Sequence, residues 1–167
     1  MKIALVALLF AASAWAQGPS TEPTAACGPA NVSFKVKLGA PNMLVQPYPG
    51  KAQVYFIHES GTPWEVGYPT TRYSVDGAWV GANHGDSYFS VSINPGEHHL
   101  CVNLQSSIVN DRAEMAHLEA EAGKVYYYRT RLVLSRSVEL LELEPIDSDQ
   151  GKYLIASFPL SVSTPKK

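Results

Sequence analysis

The sequence predicts an all-β fold: an antiparallel β-sandwich of about eight or nine strands, with one short helix near the C-terminus. Apolar and polar residues alternate over several short runs, which is the pattern of strands with one buried face. Turn-forming residues separate these runs at regular spacing. The chain also holds 12 glycines, 12 prolines and 9 tyrosines, a composition typical of short strands joined by turns.

The first part of the chain is predicted to form six strands. They are NVSFKVKL (31–38), KAQVYFIH (51–58), TTRYSV (70–75), AWVGA (78–82), SYFSVSI (87–93) and HHLCVNLQ (98–105). Asp76-Gly77, between the third and fourth runs, indicates a tight hairpin because both turn positions need a positive φ. Asn94-Pro95-Gly96 predicts a turn before the sixth strand.

The remaining part of the chain is predicted to hold three further strands and one helix. The strands are AHLEAEA (116–122), KVYYYRTRLVL (124–134) and SVELLELEP (137–145). Every second residue of AHLEAEA is alanine or leucine, which favours a strand, although helix propensity over 111–122 offers an alternative. Residues 147–156 predict the short helix, with Asp147 or Ser148 as its N-cap.

The N-terminus has the pattern of a secretory signal peptide. Lys2 precedes an uncharged apolar run (3–12), and AWA (14–16) is an A-x-A cleavage site, so we expect residues 1–16 to be removed. The apolar run is too short for a membrane span, and no later run is longer. The protein is therefore expected to be exported to the periplasm or the extracellular space. Beyond the signal peptide we expect an extended segment (17–30), a single sandwich domain (31–160) and a flexible tail (161–167).

Cys27 and Cys101 are the two cysteines of the chain, and both remain after the expected cleavage. An even number of cysteines in an exported chain predicts one disulfide bond. Lipidation of Cys27 is the alternative, because Thr24-Ala25-Ala26-Cys27 faintly resembles a lipid-attachment box. A good A-x-A site precedes this box, which favours the disulfide.

The charge of the chain excludes several classes of partner. Its formal net charge is −2 at neutral pH without a basic cluster, so neither nucleic acid nor an anionic membrane surface is expected to bind. No glycine-rich phosphate loop is present, and no cofactor is predicted.

No catalytic residue and no metal ligand is predicted. His98 and His99 are adjacent on a strand, so their side chains point to opposite faces and cannot chelate one ion together. Gly85-Asp86-Ser87 resembles the nucleophile motif of one esterase family, but no acid–histidine pair follows to activate Ser87. A turn is therefore the interpretation of this motif. An enzyme or metal protein with a site assembled across strands stays an alternative.

Three aromatic residues are the candidate ligand-binding residues: Trp64, Tyr68 and Trp79. The first two lie in a predicted loop and the third follows the Asp-Gly turn, and loops on a rigid sandwich often carry binding residues. Flat exposed rings of this kind could stack on sugars, so a carbohydrate-binding module is an alternative function. Packing of the rings over a sheet edge or the mouth of the core is the other interpretation.

Three ordered pieces of sequence carry a family resemblance. They are PGKAQVYFI, SVDGAWVGANHGDSYFSVSINPGEHHLC and LEAEAGKVYYYRTRL. Together they resemble a family of exported bacterial proteins catalogued as domain of unknown function 2846, of prealbumin-like or immunoglobulin-like sandwich type. The region of resemblance runs from about residue 49 to 156. The resemblance implies an exported β-sandwich and supplies neither an activity nor catalytic residues.

The expected function is therefore that of an exported, non-catalytic β-sandwich protein. Binding or association with the cell envelope is the expected role, with an envelope protein or a polysaccharide as the partner. The basis is a full set of strand and turn signals beside the lack of any convergent catalytic set in the sequence.

Overall fold

The computed structural model describes residues 27–41, 44–61, 68–105, 113–134 and 139–166. The predicted signal peptide and Trp64 lie outside these residues. The described residues form ten strands and one α-helix. In chain order these are β1 (Phe34–Gly39), β2 (Ala52–Ser60), β3 (Thr70–Val75), β4 (Ala78–His84), β5 (Ser87–Ile93), β6 (Gly96–Gln105), β7 (Ala113–Ala120), β8 (Val125–Leu134), β9 (Glu139–Ile146), α1 (Ser148–Ser157) and β10 (Leu160–Pro165).

The strands form two sheets, as expected for a β-sandwich. The six-stranded sheet has the order β1-β10-β5-β2-β8-β9, and the four-stranded sheet has the order β4-β3-β6-β7. The prediction of a purely antiparallel fold is wrong, because β2 pairs with β8 in parallel and β10 pairs with β5 in parallel. Alternation of side chains is the same in parallel and antiparallel strands, so it does not specify the direction of pairing.

The main core lies between the two sheets. Its buried residues occupy every second position of their strands, where the side chain points inward. They include Val54 and Phe56 of β2, Tyr73 of β3, Phe89 of β5 and Leu100 of β6. The strand predicted at 116–122 is confirmed as β7, whose Leu118 and Ala120 join this core. Pairing with β6 therefore decides between the strand and the helix that propensity offered.

The local signals for the hairpin and the helix are also confirmed. Asp76 and Gly77 have φ values of 51° and 76°, as a tight hairpin turn with two left-handed residues requires. Asp147 caps α1, since its carboxylate accepts from the N–H groups of Asp149 and Gln150 at 2.9 Å each. This helix has ten residues, and no helix in the described part of the chain is long and apolar enough to cross a membrane.

The predicted flexible tail (161–167) is wrong over most of its length. Residues Leu160–Pro165 form β10, which pairs with all six residues of β1. The two strands are more than 100 residues apart along the chain, and only the tertiary fold brings them together. Two flanking prolines, Pro159 and Pro165, suggest a chain end by sequence alone, but they lie at the boundaries of the strand, where they cost no ladder hydrogen bond.

A second, smaller core lies on the outer face of the six-stranded sheet. Tyr55 of β2, Tyr88 of β5 and Tyr127 of β8 pack there, and Leu154 and Ile155 of α1 cover part of them. The Tyr55 and Tyr127 rings are stacked with their centroids 5.4 Å apart. The helix therefore packs against β2 and β8 on this face.

The approach of α1 to the sheet depends on Gly151. A Cβ atom placed on Gly151 would lie 2.4 Å from Cγ and Cδ1 of Tyr127, closer than carbon atoms can pack. We therefore expect Gly151→Ala to lower the free energy of unfolding by about 1–3 kcal/mol through overpacking, although alanine improves helix propensity by about 1 kcal/mol. Urea unfolding measures the change. The exposed Lys152→Ala is the matched control, and a Gly151→Ala protein more stable than the native chain would contradict this packing.

Candidate functional site

The predicted aromatic residues do not form one platform. Tyr68 is 52% exposed and its ring packs against Gly85, at the end of β4. Trp79 lies at the opposite end of the β3–β4 hairpin, beside the Asp76-Gly77 turn. Because the two rings are separated by the length of the hairpin, they do not share one flat surface.

Trp79 instead anchors the segment that carries Cys27. Its Nε1–H donates to the Pro29 carbonyl over 2.8 Å, and the Arg72 guanidinium carbon lies 4.5 Å from the ring centroid. Arg72 is buried and also donates to Asn103 and to the carbonyl groups of residues 30 and 32. These contacts occupy the polar edge and one face of the Trp79 ring.

The predicted disulfide is confirmed between Cys27 and Cys101, with a Cα–Cα distance of 5.2 Å. Both cysteines are buried. The bond joins the N-terminal segment to β6 on the outer face of the four-stranded sheet, because Cys101 alternates with Leu100 and Val102, which face the core. Together with the Arg72 and Trp79 contacts, it holds this segment across the sheet.

His98 connects the turn between β5 and β6 to the turn between β3 and β4 through two hydrogen bonds. Its Nδ1 lies 2.6 Å from an Asp76 carboxylate oxygen, and its Nε2 lies 2.9 Å from the Asn94 carbonyl oxygen. Since both partners are acceptors, both ring nitrogens donate in the protonated form. Burial lowers the pKa of His98, but the bonds to Asp76 and Asn94 outweigh burial and raise the pKa above its ordinary value.

We expect the NMR titration of His98 to give a pKa above 6.5, and Asp76→Asn to lower it. Asparagine tolerates the left-handed backbone of residue 76, so the turn is kept while the charge is removed. The folded pKa is raised, so the stability that this pair contributes is present below pH 6.5 and is lost as the pH rises through the folded value.

The control for this titration is Glu97→Gln, since Glu97 contacts His117 and not His98. An unchanged His98 titration in Asp76→Asn would contradict the proposed contact.

His99 points away from His98, as predicted, and lies on the outer face of the four-stranded sheet. It is aligned with His117 of β7, and the two ring centroids are 5.7 Å apart. His117 Nε2 is 3.0 Å from a Glu97 carboxylate oxygen. No cluster of three metal-ligating side chains occurs among the described residues.

Ser87 is a buried structural residue of the β4–β5 turn. Its hydroxyl oxygen accepts from the Ser161 hydroxyl over 2.8 Å and from the His84 N–H over 3.2 Å. The side chain has no exposed surface, so no substrate reaches it. The interpretation of Gly85-Asp86-Ser87 as a turn agrees with this geometry.

A buried polar cluster lies between the sheets near that turn. His58 Nδ1 is 3.5 Å from Thr71 Oγ1, which donates to the Tyr73 hydroxyl over 3.0 Å. Three further atoms, His58 Nε2, Asn83 Oδ1 and Thr130 Oγ1, have no hydrogen-bond partner among the described residues. Burial, with a smaller effect from the nearby His84, lowers the pKa of His58 from 6.5 to about 4, so the folded chain holds this ring neutral near pH 7.

An open cavity lies on the outer face of the six-stranded sheet, where β5 and β10 separate. We call it the β5–β10 groove; its volume is about 320 Å³. Its walls include Val45, Tyr55, Tyr88, Ser90, Leu160 and Val162. This volume falls at the lower end of the range for small-ligand sites, and apolar walls with a few hydroxyl groups are typical of such sites.

A short segment before β2 forms one side of the groove. The Val45 N–H donates to the Tyr55 hydroxyl over 2.6 Å, and that hydroxyl donates to the Val45 carbonyl over 3.2 Å. A second cavity of about 250 Å³ lies on the other side of Val45, between Leu44 and Tyr127. Val45 therefore stands as a ridge between two depressions on the same face.

The groove residues are not among the sequence candidates. Tyr55 and Tyr88 lie in predicted strands, where aromatic residues are expected in the core, and Leu160 and Val162 lie at or beside the predicted tail. One signal was present: in KAQVYFIH, apolar residues occupy both faces of the strand, which indicates a strand covered on both sides.

No family model matches the chain, and neither a curated protein nor a solved structure matches it. The geometry of this chain is therefore the basis for inferring its function.

Proposed function

We propose that the protein is an exported, non-catalytic binding protein that holds its ligand in the β5–β10 groove. The observation that carries the proposal is the groove itself, where neighbouring strands of one sheet separate around a cavity of about 320 Å³. Such a cleft forgoes main-chain hydrogen bonds and apolar burial, and a bound ligand would supply both. The resemblance to domain of unknown function 2846 agrees with an exported β-sandwich.

The positions of the reactive side chains support a non-catalytic role. Ser87 and His58 have no exposed surface, and their hydroxyl and imidazole groups face the interior. Cys27 and Cys101 are joined in the disulfide. None of these four residues contributes to the wall of the β5–β10 groove.

Export is supported by the disulfide, because such bonds persist in oxidising compartments. We expect the intact mass of the exported protein to match a chain that starts at Gln17 and carries one disulfide. A mass increased by lipid on Cys27 would overturn both the disulfide in the cell and the proposed state of the N-terminus.

The ligand face is tested by NMR with the isotope-labelled, disulfide-intact protein. Neutral and acidic peptides and fragments of envelope polysaccharide are added in turn. We expect amide shifts to change at Ser90 and along β10 for at least one class, and Ser90→Trp, which fills the groove, to abolish these changes.

The matched control is Met115→Trp, because Met115 is 48% exposed on the four-stranded sheet, away from the groove. This variant should bind like the native chain. Shifts confined to Tyr68 on addition of polysaccharide would favour the carbohydrate-binding alternative at the β3–β4 hairpin. Absence of any shift at the groove with every probe would overturn the proposed function.

A further inference from the structure

β5 and β10 run side by side in parallel but are aligned at only one position among the described residues. Leu160 is aligned with Tyr88, and the Tyr88 N–H donates to the Pro159 carbonyl over 3.1 Å. Both strands then continue, β5 to Ile93 and β10 to Pro165, without further aligned pairs. β5 therefore borders the groove at Tyr88, Phe89 and Ser90, and beyond Tyr88 this side of the strand has no aligned partner residue in β10.

The main-chain groups on this side belong to Ser90 and Ser92. In a strand, the N–H and C=O groups of every second residue point to the same side, and the Tyr88 N–H points toward β10. The pairing with β2 agrees, because Gln53, aligned with Ser92, donates its N–H to the Lys124 carbonyl on the side away from β5. Ser90, in the groove wall, and Ser92, just beyond it, thus direct their amide groups to the side of β5 on which β10 lies, as the edge strand of a sheet does.

The charged side chains of β1, β5 and β10 have one sign. Lys37 of β1 is aligned with the wall residue Val162, and Lys35 is aligned with Thr164; both lysines are exposed. β1, β5 and β10 contain no carboxylate. On the β8–β9 side of the same sheet, by contrast, Arg129 is paired with Glu144. The β1–β10 side therefore favours a ligand that carries negative charge.

The two features together select one class of ligand. A row of amide N–H and C=O groups is complementary to the main chain of an extended peptide, as in strand addition to a sheet edge. At about 3.3 Å per residue, a segment of about four residues follows β5 from Ser90 to its end. In a strand, alternate side chains point to opposite faces. An acidic residue on the outer face, beside the lysines, therefore alternates with an apolar residue on the inner face, where Phe89 lines the groove.

We propose that the β5–β10 groove binds an extended peptide segment of alternating acidic and apolar residues, which adds to the free edge of β5. This inference rests on the proposed function and names its ligand class. The main-chain bonds to Ser90 and Ser92 position the segment, and Lys35 and Lys37 select its charge.

The first experiment uses the native protein and four synthetic peptides. The probe alternates glutamate and valine over six residues, with blocked ends. A second peptide has lysine for glutamate, and a third and a fourth are N-methylated on one and on the other set of alternate residues. For the first peptide we expect slowed hydrogen exchange at the Ser90 and Ser92 amides. The lysine peptide should bind more weakly, and the peptide methylated on the bonded edge should not bind, because it lacks the N–H groups.

The second experiment uses variants. Lys35→Gln/Lys37→Gln should weaken binding of the acidic peptide on the order of tenfold, since two exposed charge pairs are lost. Met115→Glu/Ala78→Glu is the matched control: it makes the same change in net charge at exposed positions of the four-stranded sheet, and its affinity should stay within about twofold of the native value because salt screens distant charges.

Polygalacturonate, an anionic polysaccharide, separates this inference from the proposed function. If it shifts the groove amides while none of the peptides does, the groove binds a ligand but the peptide inference is overturned. Peptide binding that is insensitive to N-methylation on either set of alternate residues also overturns strand addition. If neither peptide nor polysaccharide affects the groove, both proposals fail.

Discussion

We expect the chain with Cys27→Ser and Cys101→Ser to lose about 4.5 kcal/mol of unfolding free energy, the largest effect of any change considered. The two cysteines are 74 residues apart, and a cross-link of that span removes much conformational freedom from the unfolded chain. Typical domains are stable by about 5–15 kcal/mol, so this loss is a large part of the total. Urea unfolding of the oxidised and variant chains at equal pH measures it.

The disulfide also fixes the N-terminal segment, and a second observation separates this effect from global destabilisation. Without the bond, the Trp79 Nε1–H and the Arg72 side chain hold the segment through its carbonyl groups. We expect the indole N–H of Trp79 to exchange faster in the double variant even where the fold is intact. A loss below about 1 kcal/mol would contradict the chain-entropy account.

Local signals in the sequence predict those parts of the fold that depend on neighbouring residues. Asp76-Gly77 specifies its turn by the φ values it tolerates, and Asp147 specifies the start of α1 by the N–H groups it accepts. The strand predicted at 116–122 follows from alternation, since one face contains alanine and leucine, although β7 begins three residues earlier and ends at Ala120. The disulfide follows from the number of cysteines and the expected compartment.

The pairing of distant strands could not be predicted in the same way. β8 lies beside β2 in parallel, although a long stretch of chain that includes the whole four-stranded sheet separates them. β10 joins β1 to the rest of its sheet, and its short alternating run is flanked by prolines that also suit a tail. Pairing of this kind depends on the total burial of the assembled sandwich, which no single run encodes.

The candidate site depends on those same distant pairings, which is why sequence reasoning selected other aromatic residues. The β5–β10 groove exists because two strands from different parts of the chain meet at Tyr88 and then separate. Trp79, chosen because it follows a turn, is engaged by Arg72 and the Pro29 carbonyl. The position of a residue on a hairpin can be predicted from the sequence. The distant residues that pack over it cannot.

Acid is expected to destabilise this fold through His58, with a loss of about 3 kcal/mol between pH 7 and pH 4. The pKa of His58 falls from 6.5 in the unfolded chain to about 4 in the folded one, mainly because the ring is buried. The folded state therefore binds fewer protons, so its stability is fully present above pH 6.5 and declines as the pH falls toward 4. Urea unfolding at several pH values measures the slope.

Replacing His58 with glutamine, a neutral amide, isolates the contribution of His58 to the pH dependence of stability. His58→Gln does not titrate, so its stability should change less between pH 7 and pH 4 than that of the native chain. His84→Gln removes the smaller electrostatic cause and should leave most of the slope. His98 acts in the opposite direction because its pKa is raised.

The contribution of His58 is therefore the difference between the native chain and His58→Gln in how the unfolding free energy changes with pH. NMR of the native chain gives an independent test, because the His58 ring should stay neutral down to pH 5. A His58 ring that titrates near pH 6.5 in the folded protein would show that the ring is solvated, and the buried polar cluster would then contribute nothing to the pH dependence.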